Sequence, residues 1–127
     1  MSARILLVED NPANVELIEY LLRAFHHTVV SARDSDAALA LAMASPPDLI
    51  LLDIQLRGPS GFDVLRSLRA QPTLASVPVV AVTAFAMVGD RERILAAGFD
   101  GYLTKPIEPE TFVADVERFL PGRHDQP

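Results

Sequence analysis

Short continuous runs of Ile, Val and Leu recur along the chain, separated by longer segments whose apolar residues return every three or four positions. The short runs are typical of strands buried on both faces, and the longer period is that of amphipathic helices. Strands are predicted at Ile5–Val8, His27–Ala32, Leu49–Leu52, Val79–Val82 and Gly101–Thr104. Helices are predicted at Pro12–Phe25, Ser35–Ala44, Gly61–Ala70, Met87–Ala97 and Pro109–Leu120.

Caps, prolines and glycines support these boundaries. Helix starts are indicated by Asn11 with Pro12, by Ser35, and by Glu108 with Pro109, because such residues cap helices or occupy their first turn. Stop signals are Pro46, Pro72 and Gly98. Strict alternation of strand and helix predicts parallel strands joined by right-handed crossovers, so we expect a doubly wound α/β fold.

A chain of 127 residues has room for one hydrophobic core. We expect one domain over residues 1–120 and a flexible tail over residues 121–127. In a doubly wound sheet the ligand crevice lies outside the carboxyl ends of the strands. The residues that directly follow each predicted strand are therefore the first candidates for a functional site.

Polar residues stand at four of these strand ends. Glu9 and Asp10 follow the first strand, Asp53 the third, Thr83 the fourth and Lys105 the fifth. Each alone has an ordinary explanation, since a carboxylate there often caps a helix, a threonine often lies in a turn and a lysine is usually a solvated charge. Together they are expected to converge on one edge of the sheet.

Clustered carboxylates repel one another, and a hard divalent cation relieves that repulsion. Mg²⁺ is the expected cofactor, with Asp10 and Asp53 as ligands, Glu9 holding a water and the backbone carbonyl of Gln55 as a further ligand. The cation and Lys105 would neutralise charge on a phosphoryl group in transfer.

Asp53 is placed to be the nucleophile of that transfer, and its attack would give an aspartyl phosphate. The Thr83 hydroxyl is a hydrogen-bond donor that could follow the new phosphate oxygens. This chemistry predicts a site where a carboxylate is modified and a neighbouring hydroxyl responds.

The sequence resembles the response regulator receiver domains of two-component signalling. The matching stretches are Ile5–Asn11, Asp48–Asp53, Val79–Ala84 and Gly101–Pro106, and the resemblance covers nearly the whole chain. It implies a flavodoxin-like sheet of five parallel strands in the order 2-1-3-4-5 with five helices, the fold that the alternating pattern also predicts.

The resemblance also implies roles for individual residues. Asp53 matches the phosphoacceptor, Glu9 and Asp10 the acidic pair, Thr83 the switch hydroxyl and Lys105 the lysine of the family's Lys-Pro motif. It further implies that Tyr102 turns inward when that hydroxyl moves, although a partly exposed strand tyrosine is the plainer interpretation, and that the bond before Pro106 is cis.

Partners follow from the same resemblance. A histidine kinase or histidine phosphotransfer protein is expected to donate the phosphoryl group, the domain to speed its own phosphorylation, and a downstream effector to bind the face made by helix 4, strand 5 and helix 5. Arg91, Glu92 and Arg93 on helix 4 are equally explained as a solvated face.

The sequence departs from the family after the phosphoacceptor. Arg57 and Pro59 stand where a proline and a methionine are frequent, which leaves the path of that loop open. Gln55 and Phe85 occupy positions that in this family tune how long the phosphate survives.

Composition excludes several other classes. The net charge of −6 argues against nucleic-acid binding, the lack of cysteine argues against disulfides and thiolate metal sites, and no apolar run is long enough for a membrane span. No secretory leader is recognised, so a cytoplasmic location is expected.

Two alternatives remain beside the phosphorylation switch. One is a phosphorylation-independent interaction module with the same fold. The other is a phosphohydrolase, which would need a general-acid carboxylate two residues after the nucleophile, where Gln55 stands. His26 and His27 are interpreted as helix-end or loop residues. A free-standing regulator and a receiver cut from a hybrid kinase are both compatible with the sequence.

Overall fold

Five strands alternate with five helices in the computed structural model, which describes residues 2–56, 58–84 and 88–120. The strands are β1 (Arg4–Val8), β2 (Thr28–Ala32), β3 (Leu49–Asp53), β4 (Val79–Thr83) and β5 (Gly101–Thr104). The helices are α1 (Pro12–Ala24), α2 (Ser35–Ala44), α3 (Gly61–Arg69), α4 (Val88–Ala97) and α5 (Phe112–Glu117), with a 3₁₀ turn at Pro72–Leu74. The predicted tail over residues 121–127 and the predicted helix start at Met87 lie outside the described residues.

The strands form one parallel sheet in the order β2-β1-β3-β4-β5, which confirms the predicted fold. Successive side chains of a strand point to opposite faces. Ile5 and Leu7 accordingly pack with α1 and α5, whereas Leu6 and Val8 pack with α2, α3 and α4. Both faces of the central strands are buried, as their unbroken apolar runs predicted.

Side chains before the helices fix where the chain turns away from the sheet. Asn11 accepts hydrogen bonds from the N–H groups of Ala13 and Asn14, and Pro12 is the first helical residue, as predicted. At α2 the prediction of Ser35 as a cap was wrong, because the extended Asp34 accepts from the Ala37 N–H and Ser35 is already helical.

Helix α5 is shorter than its apolar period predicted. The predicted range was Pro109–Leu120, but the helix spans Phe112–Glu117. At its start the Glu108 carbonyl accepts from both Thr111 and Phe112, and at its end Leu120 donates to the Glu117 carbonyl. Both flanks are therefore tighter turns that carry the same apolar residues into the core.

The two adjacent histidines lie at the pole of the sheet opposite to the strand carboxyl ends. His26 follows α1 in the left-handed region, with a φ of 71°. His27 is buried, its Nδ1 accepts from the Ala3 N–H at 3.1 Å, and its Nε2 lies 2.8 Å from a carboxylate oxygen of Glu117. With this hydrogen bonding the Nε2 carries the proton, and the ring links β1, β2 and α5.

Arg69 makes a set of hydrogen bonds at the same end of the sheet, on its other face. Its guanidinium donates to the carbonyls of Ala75, Val77 and Gly98 and to the Asp100 carboxylate, which also accepts from the Val79 N–H. One side chain thus ties the end of α3 to the segments that enter β4 and β5. These are the strands that carry Thr83 and Lys105.

Replacing Arg69 is expected to destabilise the fold. Arg69→Ala removes four charge-assisted hydrogen bonds. The free energy of unfolding, measured by urea denaturation, should therefore fall by about 2 kcal/mol. The control is Arg66→Ala, since the Arg66 side chain is 73% exposed and forms a surface pair with Asp63, and its effect should stay within about 0.5 kcal/mol. Equal effects of the two variants would contradict the role assigned to Arg69.

Candidate functional site

The polar residues predicted from the strand ends meet at the carboxyl edge of the sheet. Asp53 is the last residue of β3 and Thr83 the last of β4, and Glu9 directly follows β1. Lys105 follows β5, and its N–H donates to the Thr83 carbonyl at 2.8 Å. Because β1, β3 and β4 are neighbours in the sheet, the chain brings these side chains together over large sequence separations.

Three carboxylates form the centre of the site. Glu9, Asp10 and Asp53 each place an oxygen within 4.8 Å of the others. Glu9 is 1% exposed and Asp53 is 3% exposed. Burial strengthens the repulsion between like charges, because water no longer screens them. The cluster therefore needs a compensating cation.

Lys105 supplies part of that compensation. Its Nζ lies 3.2 Å from Asp53 Oδ2, to which it donates a hydrogen bond, and 3.2 Å from Glu9 Oε1. Burial by itself lowers the pKa of Lys105, but the charges of Glu9 and Asp53 and the hydrogen bond to Asp53 outweigh it and raise the pKa. The ammonium is thus charged throughout the neutral range.

The surroundings of Glu9 raise the pKa of its carboxyl group. Burial raises its pKa, and so do the hydrogen bond and the charge of Asp53, while Lys105 and the Asn11 N–H act in the opposite direction. Its Oε2 accepts from that N–H at 3.2 Å. Its Oε1 is buried and, within the described part of the chain, receives no hydrogen bond of proper geometry even from the nearby Lys105.

A buried oxygen without a donor, beside two further carboxylates, fits a hard divalent cation that takes oxygen ligands. The residues that would hold Mg²⁺ are Glu9, Asp10 and Asp53. The predicted ligand from the Gln55 backbone carbonyl stays a prediction.

The loop after β3 is anchored on the site by Gln55. The Gln55 N–H donates to Asp53 Oδ1 at 2.8 Å, and its side-chain oxygen accepts from the Ala84 N–H at 3.4 Å. The loop turns at Gly58, which has a φ of 79°. This turn accounts for part of the loop path that the sequence did not determine. Arg57 and Phe85 lie outside the described residues.

Gly61 is a residue that the sequence analysis missed as part of the site. A Cβ at this position would lie 2.4 Å from the Ile54 Cα and 2.9 Å from the Asp53 carbonyl oxygen. The Gly61 N–H also donates to the Ile54 carbonyl. Only glycine lets α3 start directly against the backbone of the central aspartate. A glycine at the first position of a helix, where better helix formers are common, was the available signal.

Thr83 and Tyr102 share one face of the sheet. Thr83 is fully buried. Tyr102 pairs with Ala81 in the register of β4 and β5, and Ala81 and Thr83 are two residues apart, so their side chains point the same way. Tyr102 is half-buried, and the guanidinium carbon of Arg91 lies 5.9 Å from its ring centroid. The bond between Lys105 and Pro106 is cis.

The fold and the site define an α/β domain with an acidic cluster and a lysine at the carboxyl ends of its strands. Comparison with known proteins identifies the family. The family model of the response regulator receiver domain matches residues 5–117 of this chain. The polar-differentiation response regulator DivK of Brucella ovis is 41% identical over 94% of this chain and 98% of its own. The chain therefore belongs to the response regulator receiver domain family, which makes it a phosphoacceptor signalling switch.

Solved structures give the same assignment. The receiver domain of the sensor histidine kinase PA1611 from Pseudomonas aeruginosa has a TM-score of 0.84 and 38% identity, covers 94% of this chain and 98% of its own, and has a magnesium ion in its active-site cleft. The chemotaxis response regulator CheY4 of Vibrio cholerae has a TM-score of 0.89 and 27% identity, over 94% of this chain and all of its own. No helix within the described residues is long and apolar enough to cross a membrane.

The raised pKa of Glu9 gives a testable pH dependence. A carboxyl group whose pKa is raised by folding contributes stability below its ordinary value near 4.5 and loses it as the pH rises through the folded value. In EDTA, the free energy of unfolding of the wild type should therefore fall as the pH rises from about 4.5 through the folded pKa of Glu9. Glu9→Gln should show a flatter profile, so that its free energy of unfolding rises relative to that of the wild type towards pH 7.

The same variant tests the cation site. Mg²⁺ at about 100 times its dissociation constant should stabilise the wild type by about 2.7 kcal/mol, and Glu9→Gln should lose most of that gain. Urea denaturation with EDTA and with Mg²⁺ measures both effects. Parallel pH profiles with an unchanged response to Mg²⁺ would contradict the account of Glu9.

Gly61→Ala is expected to cost about 1 to 3 kcal/mol of stability, because the new methyl group forces the backbone of Asp53 and Ile54 to move. The matched control is Gly89→Ala, because a Cβ at Gly89 meets no atom within 4 Å and alanine favours a helix. Urea denaturation should find this control unchanged or stabilised. Mg²⁺ should stabilise Gly61→Ala less than the control, and a normal response would show that Gly61 does not position the site.

Proposed function

We propose that Asp53 accepts a phosphoryl group from a histidine kinase or a histidine phosphotransfer protein, and that this modification changes the binding of a downstream effector. One observation supports the proposal above the others. A buried aspartate stands at a strand end with an ammonium 3.2 Å from one oxygen and two further carboxylates within 4.8 Å. Such a set combines a nucleophile with the charges that phosphoryl transfer needs.

In the proposed reaction a carboxylate oxygen of Asp53 attacks the phosphorus of a phosphohistidine. The new P–O bond forms as the P–N bond breaks, and the imidazole leaves with the electron pair and takes up a proton. Lys105 balances the charge of the transferred oxygens, and the Gln55 N–H keeps the Asp53 carboxylate oriented. Bound Mg²⁺ would supply further electrostatic stabilisation of the phosphoryl oxygens.

The readout is proposed to run through Thr83 and Tyr102. Both side chains lie on the same face of the sheet, which α4 covers, so a hydroxyl drawn towards a phosphate leaves space that the neighbouring ring can take. The effector surface is proposed at α4, β5 and α5. With its own cation and lysine the domain would promote both its phosphorylation and its dephosphorylation.

Two further features of the proposal rest on charge and composition. The net charge of −6 supports a protein partner and no direct contact with nucleic acid, and a chain without cysteine suits a reducing compartment such as the cytoplasm. A phosphohydrolase is disfavoured, because the side chain two residues after Asp53 is the amide of Gln55, which cannot act as a general acid.

Phosphorylation of Asp53 can be tested with a small phosphodonor and Mg²⁺. Intact-mass measurement should find one phosphate per wild-type chain that is labile to alkali and hydroxylamine, as an acyl phosphate is. Omitting Mg²⁺ should slow the reaction by at least tenfold, because the charge on the transferred group is then balanced by Lys105 alone.

Asp53→Asn should take up no phosphate, because an amide oxygen is a poor nucleophile. The control is Asp36→Asn, since Asp36 is an exposed residue of the first turn of α2 and should label like the wild type. Equal labelling of Asp53→Asn and Asp36→Asn would overturn the proposal.

A further inference from the structure

We infer that Arg91 is a positioning residue that holds Tyr102 in its resting orientation and thereby opposes the switch. The inference rests on the proposed function, in which Tyr102 reports on the state of Asp53. It adds a residue on α4 that sets the balance between the two ring positions.

The contact joins an exposed cation to a half-buried ring. The Arg91 guanidinium carbon lies 5.9 Å from the Tyr102 ring centroid, within the range of cation–π attraction. Arg91 itself is exposed, whereas Tyr102 packs on the apolar cluster beneath α3 and α4. An exposed guanidinium can reach only a ring that extends to the surface, so a ring that turns inward leaves Arg91. The contact therefore favours the outer orientation alone.

A second arginine on the same helix contacts a different ring and provides a matched control for charge. The guanidinium carbon of Arg93 lies 5.1 Å from the centroid of Phe62, and Arg93 also pairs with Asp90 at 3.8 Å. Phe62 in turn meets Phe99 edge to face with a centroid distance of 5.7 Å. Arg93 thus joins α4 to α3, whereas Arg91 joins α4 to β5.

The expected size of the effect follows from the exposure of the cation. A cation–π contact at an exposed site shifts an equilibrium about two- to fivefold. A contact made in one ring orientation and lost in the other shifts the populations by that factor. Removing Arg91 should therefore raise the inward population of Tyr102 about two- to fivefold without any change at Asp53.

Fluorine NMR can observe this ring by itself. The chain contains two tyrosines, and Tyr20 is 71% exposed on α1, so Tyr20→Phe with fluorotyrosine labelling leaves Tyr102 as the single reporter. Spectra with Mg²⁺, before and after a small phosphodonor, define the resting and phosphorylated signals. Arg91→Gln, Arg91→Lys and Arg93→Gln are then compared in this background before phosphodonor is added.

Arg91→Gln should move the resting signal towards the phosphorylated one, Arg91→Lys should restore most of the resting position, and Arg93→Gln should stay at the resting signal. If Asp53 takes phosphate but Arg91→Gln and Arg93→Gln give the same resting spectrum, the inference is overturned and the proposed function stands. If intact mass finds no phosphate on Asp53, the proposed function fails and the inference fails with it.

Discussion

The rest of this structure depends on one constraint, the burial of like charges at the edge of a parallel sheet. Glu9 and Asp53 are almost inaccessible, and Lys105 bridges them at 3.2 Å from each. Carboxylates in such surroundings are costly unless they are paired. The carboxylates are held in place against their mutual repulsion by the surrounding framework. It consists of unbroken apolar strands, helices on both faces of the sheet and a close turn at Gly61. A softer framework would let the carboxylates separate and would lose the site.

The contacts that hold the strands together against this repulsion lie at the opposite end of the sheet. Arg69 fixes the segments that enter β4 and β5, and His27 links β1 and β2 to Glu117 of α5. These contacts lie at the pole opposite to the carboxylates, whereas at the carboxyl ends of the strands Gln55 links Asp53 to Ala84. Such a division is suited to a switch, because the contacts that fix the strands at one pole do not depend on the charge of the site at the other pole.

The strands and the polar site could be predicted from the sequence because both depend on short-range pattern. Apolar runs mark buried strands, and parallel strands bring the residues after them to one edge, so Glu9, Asp10, Asp53 and Lys105 follow without any knowledge of their distances. Gly61 was harder to recognise, since its requirement comes from the backbone of Asp53 and Ile54, and its one sequence signal was a glycine at the first position of a predicted helix. The ends of α5 and the cap at Asp34 depended on single hydrogen bonds that competing residues could equally make. The contact of Arg91 with Tyr102 depends on how two elements pack, which no local pattern encodes.

Glu9 connects the charge of the site to its state. With all three carboxylates ionised and Lys105 charged, the four side chains carry a formal charge of minus two, which one divalent cation matches. Without that match the easiest relief is a proton on Glu9, whose raised pKa reflects its burial and its contact with Asp53. Conversion of Asp53 to an acyl phosphate adds negative charge, which Lys105 and the donors at the ends of β3 and β4 must then absorb. In the proposed function the Thr83 hydroxyl is the donor that follows this charge, since it can rotate about a single bond, and its movement would open space on the face that Tyr102 shares. On this proposal, the electrostatic imbalance that makes the site costly to fold would also supply the force that moves Thr83 and Tyr102.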